Sequence, residues 1–191
     1  NDLESGSGNI VSGKNAIVSS ARADGKDQAG AKQPKTRFFR KFDWMIAGFT
    51  GFIIFVGYFF TLAPNLTLED SGELAVGSYY AGVPHPPGYP IWTIYTWLFT
   101  VLVPISNIAF RVGLASAVAG ACSCGLLALM VSRGSAMIIK GIDSFKEIDD
   151  PTEKAISGVS GWVAGMAFGF NGFMWSQAVI VEVYTLSVFS L

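Results

Sequence analysis

The sequence contains few charged residues, and these are distributed unevenly. Only 14% of the 191 residues are Asp, Glu, Lys or Arg, against roughly 25% in soluble domains. No charged residue occurs in the ranges 44–68, 74–110, 112–132 and 155–181. Because about 20 apolar residues cross the hydrocarbon core of a bilayer, runs of this length indicate membrane spans. The pattern excludes a soluble enzyme, a nucleic-acid-binding protein and a disordered protein as descriptions of the whole chain.

Cysteine and several sequence signals are scarce or absent. The two cysteines, Cys122 and Cys124, lie two residues apart in an apolar run, and on a helix this spacing turns them to different faces. We interpret them as packing residues, which form neither a disulfide nor a metal site. No apolar segment precedes residue 44, so we expect that residues 1–31 are not a secretory signal peptide. The sequence lacks an initiator Met and stops inside an apolar segment at Leu191, so we expect a fragment of a longer protein.

Basic residues are concentrated before the first apolar run. Eight of the 13 Lys and Arg residues lie in the first 41 positions, and the cluster from Lys32 to Lys41 contains no acid. Such a cluster next to a span marks the cytoplasmic side of a membrane. Residues 1–31 are polar and lack apolar periodicity, so we expect disorder there. The sequence therefore predicts a cytoplasmic tail over 1–41 and a truncated transmembrane module over 42–191.

The transmembrane module divides into apolar segments that predict an all-α polytopic membrane protein. The predicted spans are 44–63, 89–105, 112–131, 156–175 and a further apolar segment that continues to 191. The segment 89–105 is short, so it crosses the bilayer obliquely or incompletely. Simple alternation of spans places loop 132–154 outside, whereas the four basic residues of that loop favour the inside. We expect the alternating arrangement.

Small residues recur every four positions in the fourth segment, at Ser157, Gly161, Gly165 and Gly169. A stripe of this kind allows two helices to approach closely in a membrane. We therefore expect these positions to contact another helix.

Three carboxylates follow the first span directly. Residues 64–88 are predicted to lie outside, and they contain Glu69, Asp70 and Glu73. On a helix these residues share one face. Crowded carboxylates repel each other, which raises the pKa of at least one of them or recruits a cation. The motif therefore suits a general base or a metal-held phosphate, and it equally suits a solvated acidic loop.

Three further polar residues are candidates for a site. His85 is the only histidine, held among prolines at 84, 86, 87 and 90; it is either structural or a partner for a leaving phosphate. Arg111 is the only basic residue between positions 42 and 132, and it suits an anchor at the end of a span. Glu182 lies in an apolar stretch, where a carboxylate needs a partner, a cavity or the membrane interface.

The order of these features resembles the start of the GT-C membrane glycosyltransferases. The resemblance is closest to a polytopic family first labelled as a domain of unknown function and since linked to protein O-mannosyl transfer. Three stretches carry it: EDSGE at 69–73, HPPGYP at 85–90, and WSQ at 175–177 followed by EVYTL at 182–186. The enzymes of this superfamily have many more spans, so this chain corresponds to an N-terminal part of the GT-C helix bundle and is expected to be inactive alone.

The resemblance implies a function and a set of site residues. The full-length enzyme would transfer a sugar, mannose by resemblance, from a polyprenyl-phosphate donor to Ser or Thr hydroxyls of an acceptor protein at the outer face. Asp70 would be the catalytic base, with Glu73 in support. The residues implied to bind substrate are Glu69, His85, Arg111 and Glu182. A divalent metal is the one cofactor considered, and its ligands are unknown.

Two other classes of protein fit the same residues. A transporter or channel subunit would use Asp70, Glu73 and Glu182 as ion or proton sites. A non-catalytic membrane scaffold would use the stripe of small residues. Under every interpretation the chain is integral to an inner, plasma or endoplasmic-reticulum-type membrane, and no nucleic-acid partner is expected.

Overall fold

Within the residues that the computed structural model describes (38–67, 70–84, 86, 88–143 and 147–191), the chain is helical and contains no strand. This confirms the prediction of an all-α membrane protein. The predicted disordered segment 1–31, Glu69 and His85 lie outside the described residues. The seven described helices are α1 Lys41–Thr61, α2 Ser71–Tyr79, α3 Pro90–Leu102, α4 Ile108–Gly141, α5 Asp150–Gly169, α6 Gly172–Ala178 and α7 Tyr184–Ser190.

Two of these helices, α1 and α4, are long and apolar enough to cross a membrane. At a rise of 1.5 Å per residue, the 21 residues of α1 extend over about 31 Å and the 34 residues of α4 over about 51 Å. The two helices run antiparallel. Asn107, at the start of α4, donates to the carbonyl of Pro64 at 2.7 Å, and Ser132, near the other end, donates to Asp43 at 2.8 Å.

The short helix α3 does not add a third crossing between them. Its 13 residues extend over only about 20 Å, against a hydrocarbon core of about 30 Å. The chain leaves the end of α1 at Pro64 and returns to the same place at Asn107. The segment predicted over 89–105 therefore belongs to one end of the helix bundle.

This arrangement corrects the expectation for loop 132–154. The predicted span 112–131 and loop 132–154 have other bounds in the structure, because α4 continues to Gly141 and α5 begins at Asp150. Arg40, which precedes α1, donates to Glu153 in the first turn of α5 at 2.8 Å, so the connection between α4 and α5 lies at the Arg40 end of the bundle. The alternating arrangement that we expected from the spans is wrong, because α3 is too short to bring the chain across. The basic residues of the loop favour the same side as the Arg40 cluster, and the side of the membrane on which both lie stays a prediction.

Arg40 joins three helices through what we call the Arg40 cluster, which consists of Arg40, Asp43, Ser132, Lys140, Glu153 and Ser157. The carboxylates of Asp43 and Glu153 are buried. The Arg40 guanidinium lies 2.9 Å from Asp43 and 2.8 Å from Glu153. Its hydrogen bond to Asp43 raises the pKa of Arg40, burial opposes that shift, and Glu153 adds to it. The cluster holds the ends of α1, α4 and α5 together by paired charges.

The small residues of α5 make the close helix contacts that their spacing predicts. A Cβ atom placed at Gly161 would lie 2.6 Å from the carbonyl oxygen of Ala128 in α4. One at Gly165 would lie 2.6 Å from the Thr50 side chain in α1, and one at Gly169 would lie 2.6 Å from Ile54. The stripe therefore faces both long helices, and the prediction of helix contact is confirmed.

Gly165→Leu should consequently destabilise the bundle. Its side chain would meet Thr50 and, at 3.0 Å, the carbonyl oxygen of Cys124; overpacking of this kind typically costs about 1–3 kcal/mol. Gly134→Leu is the matched control, because nothing lies within 4 Å of a Cβ atom at Gly134. Thermal unfolding of both variants in detergent measures the difference. Equal unfolding temperatures would show that the stripe does not pack as described.

The region predicted as a span over 156–175 is divided between two helices. Helix α5 begins earlier, at Asp150, with Pro151 in its first turn, and it ends at Gly169. The side chain of Asn171 then accepts a hydrogen bond from the backbone amide of Phe173 at 2.9 Å, which starts α6 as an N-cap. Residues Tyr184–Ser190 form α7 near the end of the chain.

The two cysteines lie on different faces of α4, as predicted. Cys124 is buried in the core that includes Ile54 and Tyr58, whereas Cys122 is exposed. Both are free thiols. Their positions agree with a packing role for Cys124.

Candidate functional site

The acidic motif lies where α2 begins. Asp70 occupies the N-cap position, and its backbone carbonyl accepts the first hydrogen bond of the helix, from Leu74, at 2.9 Å. Glu73 lies in the first turn, and both carboxylates are exposed. Negative charge is favourable at this end of a helix, because it complements the helix dipole. A helix is therefore present at this motif, with Asp70 at its N-cap and Glu73 in its first turn, and the expectation that Glu69 shares their face stays a prediction.

Helix α2 is anchored to a segment more than 100 residues later. The hydroxyl of Ser71 donates to the carbonyl of Val181 at 3.5 Å and lies 2.9 Å from the hydroxyl of Thr67. Below it, a small apolar core joins α2, α3, α4 and the 181–186 segment. Its buried members are Leu74, Trp92, Val112 and Val181. The folding of the chain thus brings the acidic motif beside the segment that carries Glu182.

Glu182 is buried, with 7% of its surface exposed. Its Oε2 atom accepts a hydrogen bond from the backbone amide of Val183 at 3.1 Å. Its backbone carbonyl accepts from the Trp92 indole at 3.2 Å and from the Ser116 hydroxyl at 3.1 Å. Two helices therefore fix the position of this residue, and the carboxylate has a backbone partner as well as a buried environment.

Arg111 lies in the first turn of α4, beside the buried Val112. Its guanidinium donates to the carbonyl of Thr100 at 2.5 Å and to that of Ile105. Basic groups stabilise the C-terminal end of a helix, and these bonds close the end of α3. In this structure, then, Arg111 holds α3 to α4, and its contribution to substrate binding stays a prediction.

The proline-rich turn before α3 has an unusual backbone. Gly88 has a φ of 88°, and a Cβ atom there would lie 2.8 Å from Val83, so only glycine fits without strain. Tyr89 also has a positive φ, of 40°, and it forms the N-cap of α3 with Pro90 after it. Such conformations require support from the surrounding structure and are common at functional sites. The turn therefore fixes where α3 begins.

A cavity of about 380 Å³, here called the α2 cavity, lies beside the acidic motif. It lies between one face of α2, the chain that precedes α2 and the start of α4. Its lining residues are Asn65, Leu66, Gly72, Ala75, Val76, Tyr79, Tyr80, Asn107, Ile108 and Ala109. The sequence did not predict it, because neither tyrosine nor asparagine at these positions follows a pattern that indicates a cavity.

Metal binding at this site has no direct support among the described residues. No group of three or more His, Cys, Asp or Glu side chains within 38–67, 70–84, 86, 88–143 and 147–191 lies in an arrangement that could hold a metal ion. Glu69 and His85 are outside those ranges. The divalent cation considered from the sequence therefore stays a prediction.

Sequence reasoning missed the residues that hold the site together. Ser71, Trp92 and Ser116 connect the acidic helix and the 181–182 segment to the bundle. A serine in an apolar helix and a tryptophan near a membrane end are ordinary in a membrane protein. Ser71 belongs to the EDSGE stretch that was singled out, but nothing in the sequence indicates its contact with Val181, and no signal distinguishes Trp92 or Ser116.

Known proteins resemble this chain over the region just described. The sequence profile of the family described as the protein O-mannosyl-transferase TMEM260 N-terminal domain matches residues 70–191, from Asp70 onward. Protein O-mannosyl-transferase TMEM260 of Mus musculus is 32% identical over 127 residues, which are 66% of this chain and 15% of that protein. The protein O-mannosyl-transferase tmem260 of Dictyostelium discoideum is 34% identical over 65 residues, 33% of this chain and 8% of the relative.

These relatives are far longer than the chain, which spans about 15% of the length of the mouse protein. No solved structure matches it. The profile nevertheless covers helices α2 to α7, including the acidic motif and the segment with Glu182. The chain belongs to the family of TMEM260 protein O-mannosyl-transferase N-terminal domains.

Proposed function

We propose that this chain is the N-terminal part of an integral membrane glycosyltransferase of the GT-C type. The full-length enzyme transfers mannose from a polyprenyl-phosphate donor to Ser or Thr hydroxyls of an acceptor protein, at the membrane face where α2 lies. The names of the mouse and Dictyostelium relatives support the reaction class. The observation that carries the proposal is the position of Asp70: it lies beyond the end of α1, exposed, on a helix anchored to the 181–182 segment.

Asp70 acts as the base in this proposal. It deprotonates the acceptor hydroxyl as the hydroxyl oxygen attacks the anomeric carbon of the donor, and the bond from that carbon to the lipid phosphate breaks. Direct displacement inverts the anomeric centre and requires one base. Glu73, one helical turn away, is a second carboxylate beside Asp70 and adds to the negative charge of the site. Glu69 and Glu182 contribute to substrate binding.

The departing lipid phosphate requires positive charge. After the acidic motif, His85 is the only histidine of the sequence and Arg111 is the first Lys or Arg, and both are candidates to supply it. A divalent metal held by the carboxylates is the third source. Transfer measured in EDTA and after addition of Mg²⁺ or Mn²⁺ separates the metal from the two side chains.

The placement of the acids favours an enzyme over a transporter. Ion-coupling carboxylates of transporters lie near the middle of the membrane. Asp70 and Glu73 instead lie nine or more residues beyond the last residue of α1, and both are exposed. This location suits a reaction at the membrane surface.

The direct test uses the purified full-length protein in detergent or liposomes. We expect transfer of labelled mannose from a polyprenyl-phosphate donor to a Ser- or Thr-containing acceptor protein, and no transfer from a nucleotide sugar. Dependence on the nucleotide sugar alone would contradict the lipid-donor proposal. Ion flux without sugar transfer would favour the transporter.

The proposal also predicts a membrane orientation, with Arg40 and loop 132–154 in the cytoplasm and residues 64–88 on the opposite side. In a background without Cys122 and Cys124, Val83→Cys should react with an impermeant thiol reagent from the outer or luminal side. Glu147→Cys should react only after permeabilisation; both positions are exposed. The reverse labelling pattern would contradict the proposed orientation. Labelling of both positions without permeabilisation would contradict the placement of residues 64–88 and loop 132–154 on opposite sides of the membrane.

A further inference from the structure

The α2 cavity lies within one helical turn of Asp70. Gly72, Val76 and Tyr79 form one wall of it, and this spacing places their side chains on one face of α2. The opposite wall comes from residues 65–66 and 107–109. Its volume of about 380 Å³ falls within the range of roughly 300–1,000 Å³ that is common for ligand sites. The cavity is therefore large enough and close enough to hold part of a substrate.

The walls of the cavity combine apolar, aromatic and amide groups. Leu66, Val76 and Ile108 offer aliphatic surface. The rings of Tyr79 and Tyr80 stand edge to face, with centroids 5.0 Å apart. Asn107 donates to the side chain of Asn65 at 3.2 Å, which sets two amides at the cavity wall. Surfaces of this composition bind polypeptide segments, because aromatic rings pack against side chains and polar groups pair with the peptide backbone.

The charge around the cavity favours the acceptor polypeptide over the lipid-phosphate donor as its occupant. The described residues that line it include no Lys or Arg, and the sequence contains none from position 44 to 110. Asp70 and Glu73 place negative charge on the helix that forms the first wall. A lipid phosphate would be repelled by these carboxylates, whereas a neutral or basic polypeptide would not.

We propose that the α2 cavity binds the acceptor polypeptide next to the hydroxyl that receives the sugar. The assignment rests on the proposed function. It places the acceptor on the Val76 and Tyr79 side of the acidic motif and leaves the lipid donor to approach Asp70 from another side. Val76 and Tyr79 then determine acceptor affinity and take no part in the transfer itself.

The test measures the steady-state kinetics of Val76→Trp in the full-length protein. The probe is an acceptor protein identified as one that loses a hexose when the gene is deleted. Val101→Trp is the matched control, because Val76 and Val101 are 59% and 61% exposed and Val101 lies on α3 outside the cavity. Indole in the cavity should raise the KM for the acceptor roughly tenfold or more, the change that about 1.4 kcal/mol of binding free energy produces. The kcat and the donor KM should match those of the control.

A second pair of variants distinguishes a loss of acceptor binding from an effect of misfolding in Val76→Trp. Tyr79→Ala removes a wall of the cavity and should raise the acceptor KM in the same direction, whereas Tyr79→Phe keeps the ring and should stay closer to wild type. An unchanged acceptor KM in Val76→Trp and Tyr79→Ala, with normal transfer by the wild-type enzyme, would overturn the acceptor assignment alone. A raised donor KM would assign the cavity to the donor instead. Absence of transfer by the wild-type protein would overturn the proposed function, and the acceptor assignment with it.

Discussion

Asp70→Asn in the full-length protein should lower the rate of mannosyl transfer by about 10²–10⁴-fold, the usual consequence of losing a general base. The substitution preserves the size of the side chain and removes only its ability to accept the proton. Asp70 lies at the N-cap of α2 and is exposed. Asparagine is as favourable as aspartate at such a position. Membrane insertion and thermal stability should therefore stay close to those of the wild type.

The neighbouring carboxylates provide the comparison for this prediction. Glu69→Gln should have a smaller effect, because Glu69 is proposed to contact substrate rather than take the proton. Binding of the polyprenyl-phosphate donor should persist in Asp70→Asn, which separates a loss of chemistry from a loss of binding. Near-normal transfer by Asp70→Asn, together with loss of transfer in Glu73→Gln, would move the base to Glu73.

Removing Arg40 should strongly destabilise the helix bundle. In Arg40→Met, the buried carboxylates of Asp43 and Glu153 lose the guanidinium that lies 2.9 and 2.8 Å from them. Removing one partner of a buried ion pair typically costs about 3–5 kcal/mol, because the remaining charge is left in a poorly solvated place. Lys140, whose Nζ atom lies 3.4 Å from Glu153, offsets part of that loss. Thermal or denaturant unfolding in detergent measures the effect.

Two controls separate the Arg40 cluster from a general effect of charge. Lys41→Met removes the same charge from the exposed neighbouring position and should change stability by less than about 0.5 kcal/mol. Combining Arg40→Met with Asp43→Asn and Glu153→Gln removes all three charges and should recover much of the stability. Equal stabilities of Arg40→Met and Lys41→Met would show that the cluster does not hold the helix ends together.

Features that depend on local sequence could be predicted well. The charge-free run that starts at residue 44 forms most of α1, and the acidic motif lies where α2 begins. Gly161, Gly165 and Gly169 contact other helices because their spacing matches the helical repeat. These properties depend on composition and periodicity over fewer than about 20 residues.

Features that depend on long-range contacts could not be predicted. Arg40 and Glu153 are 113 residues apart, and Ser71 and Val181 are 110 residues apart. Neither pair leaves a periodic signal in the sequence. The end of the bundle at which residues 142–149 lie is shown by the first of these contacts, between Arg40 and Glu153. The division at Gly169 arises where Asn171 starts a new helix.

We propose that the full-length protein O-mannosylates other proteins and that Asp70 is required. Mass spectrometry of Ser- and Thr-linked hexose on membrane and secreted proteins tests this proposal directly. The proteins are taken from cells that lack the gene and from the same cells complemented with the wild-type protein or with Asp70→Asn at equal expression. We predict that specific acceptor sites lose their hexose in the deletion cells, regain it with the wild type and stay unmodified with Asp70→Asn. Unchanged hexose in the deletion cells, or full restoration by Asp70→Asn, would contradict the account.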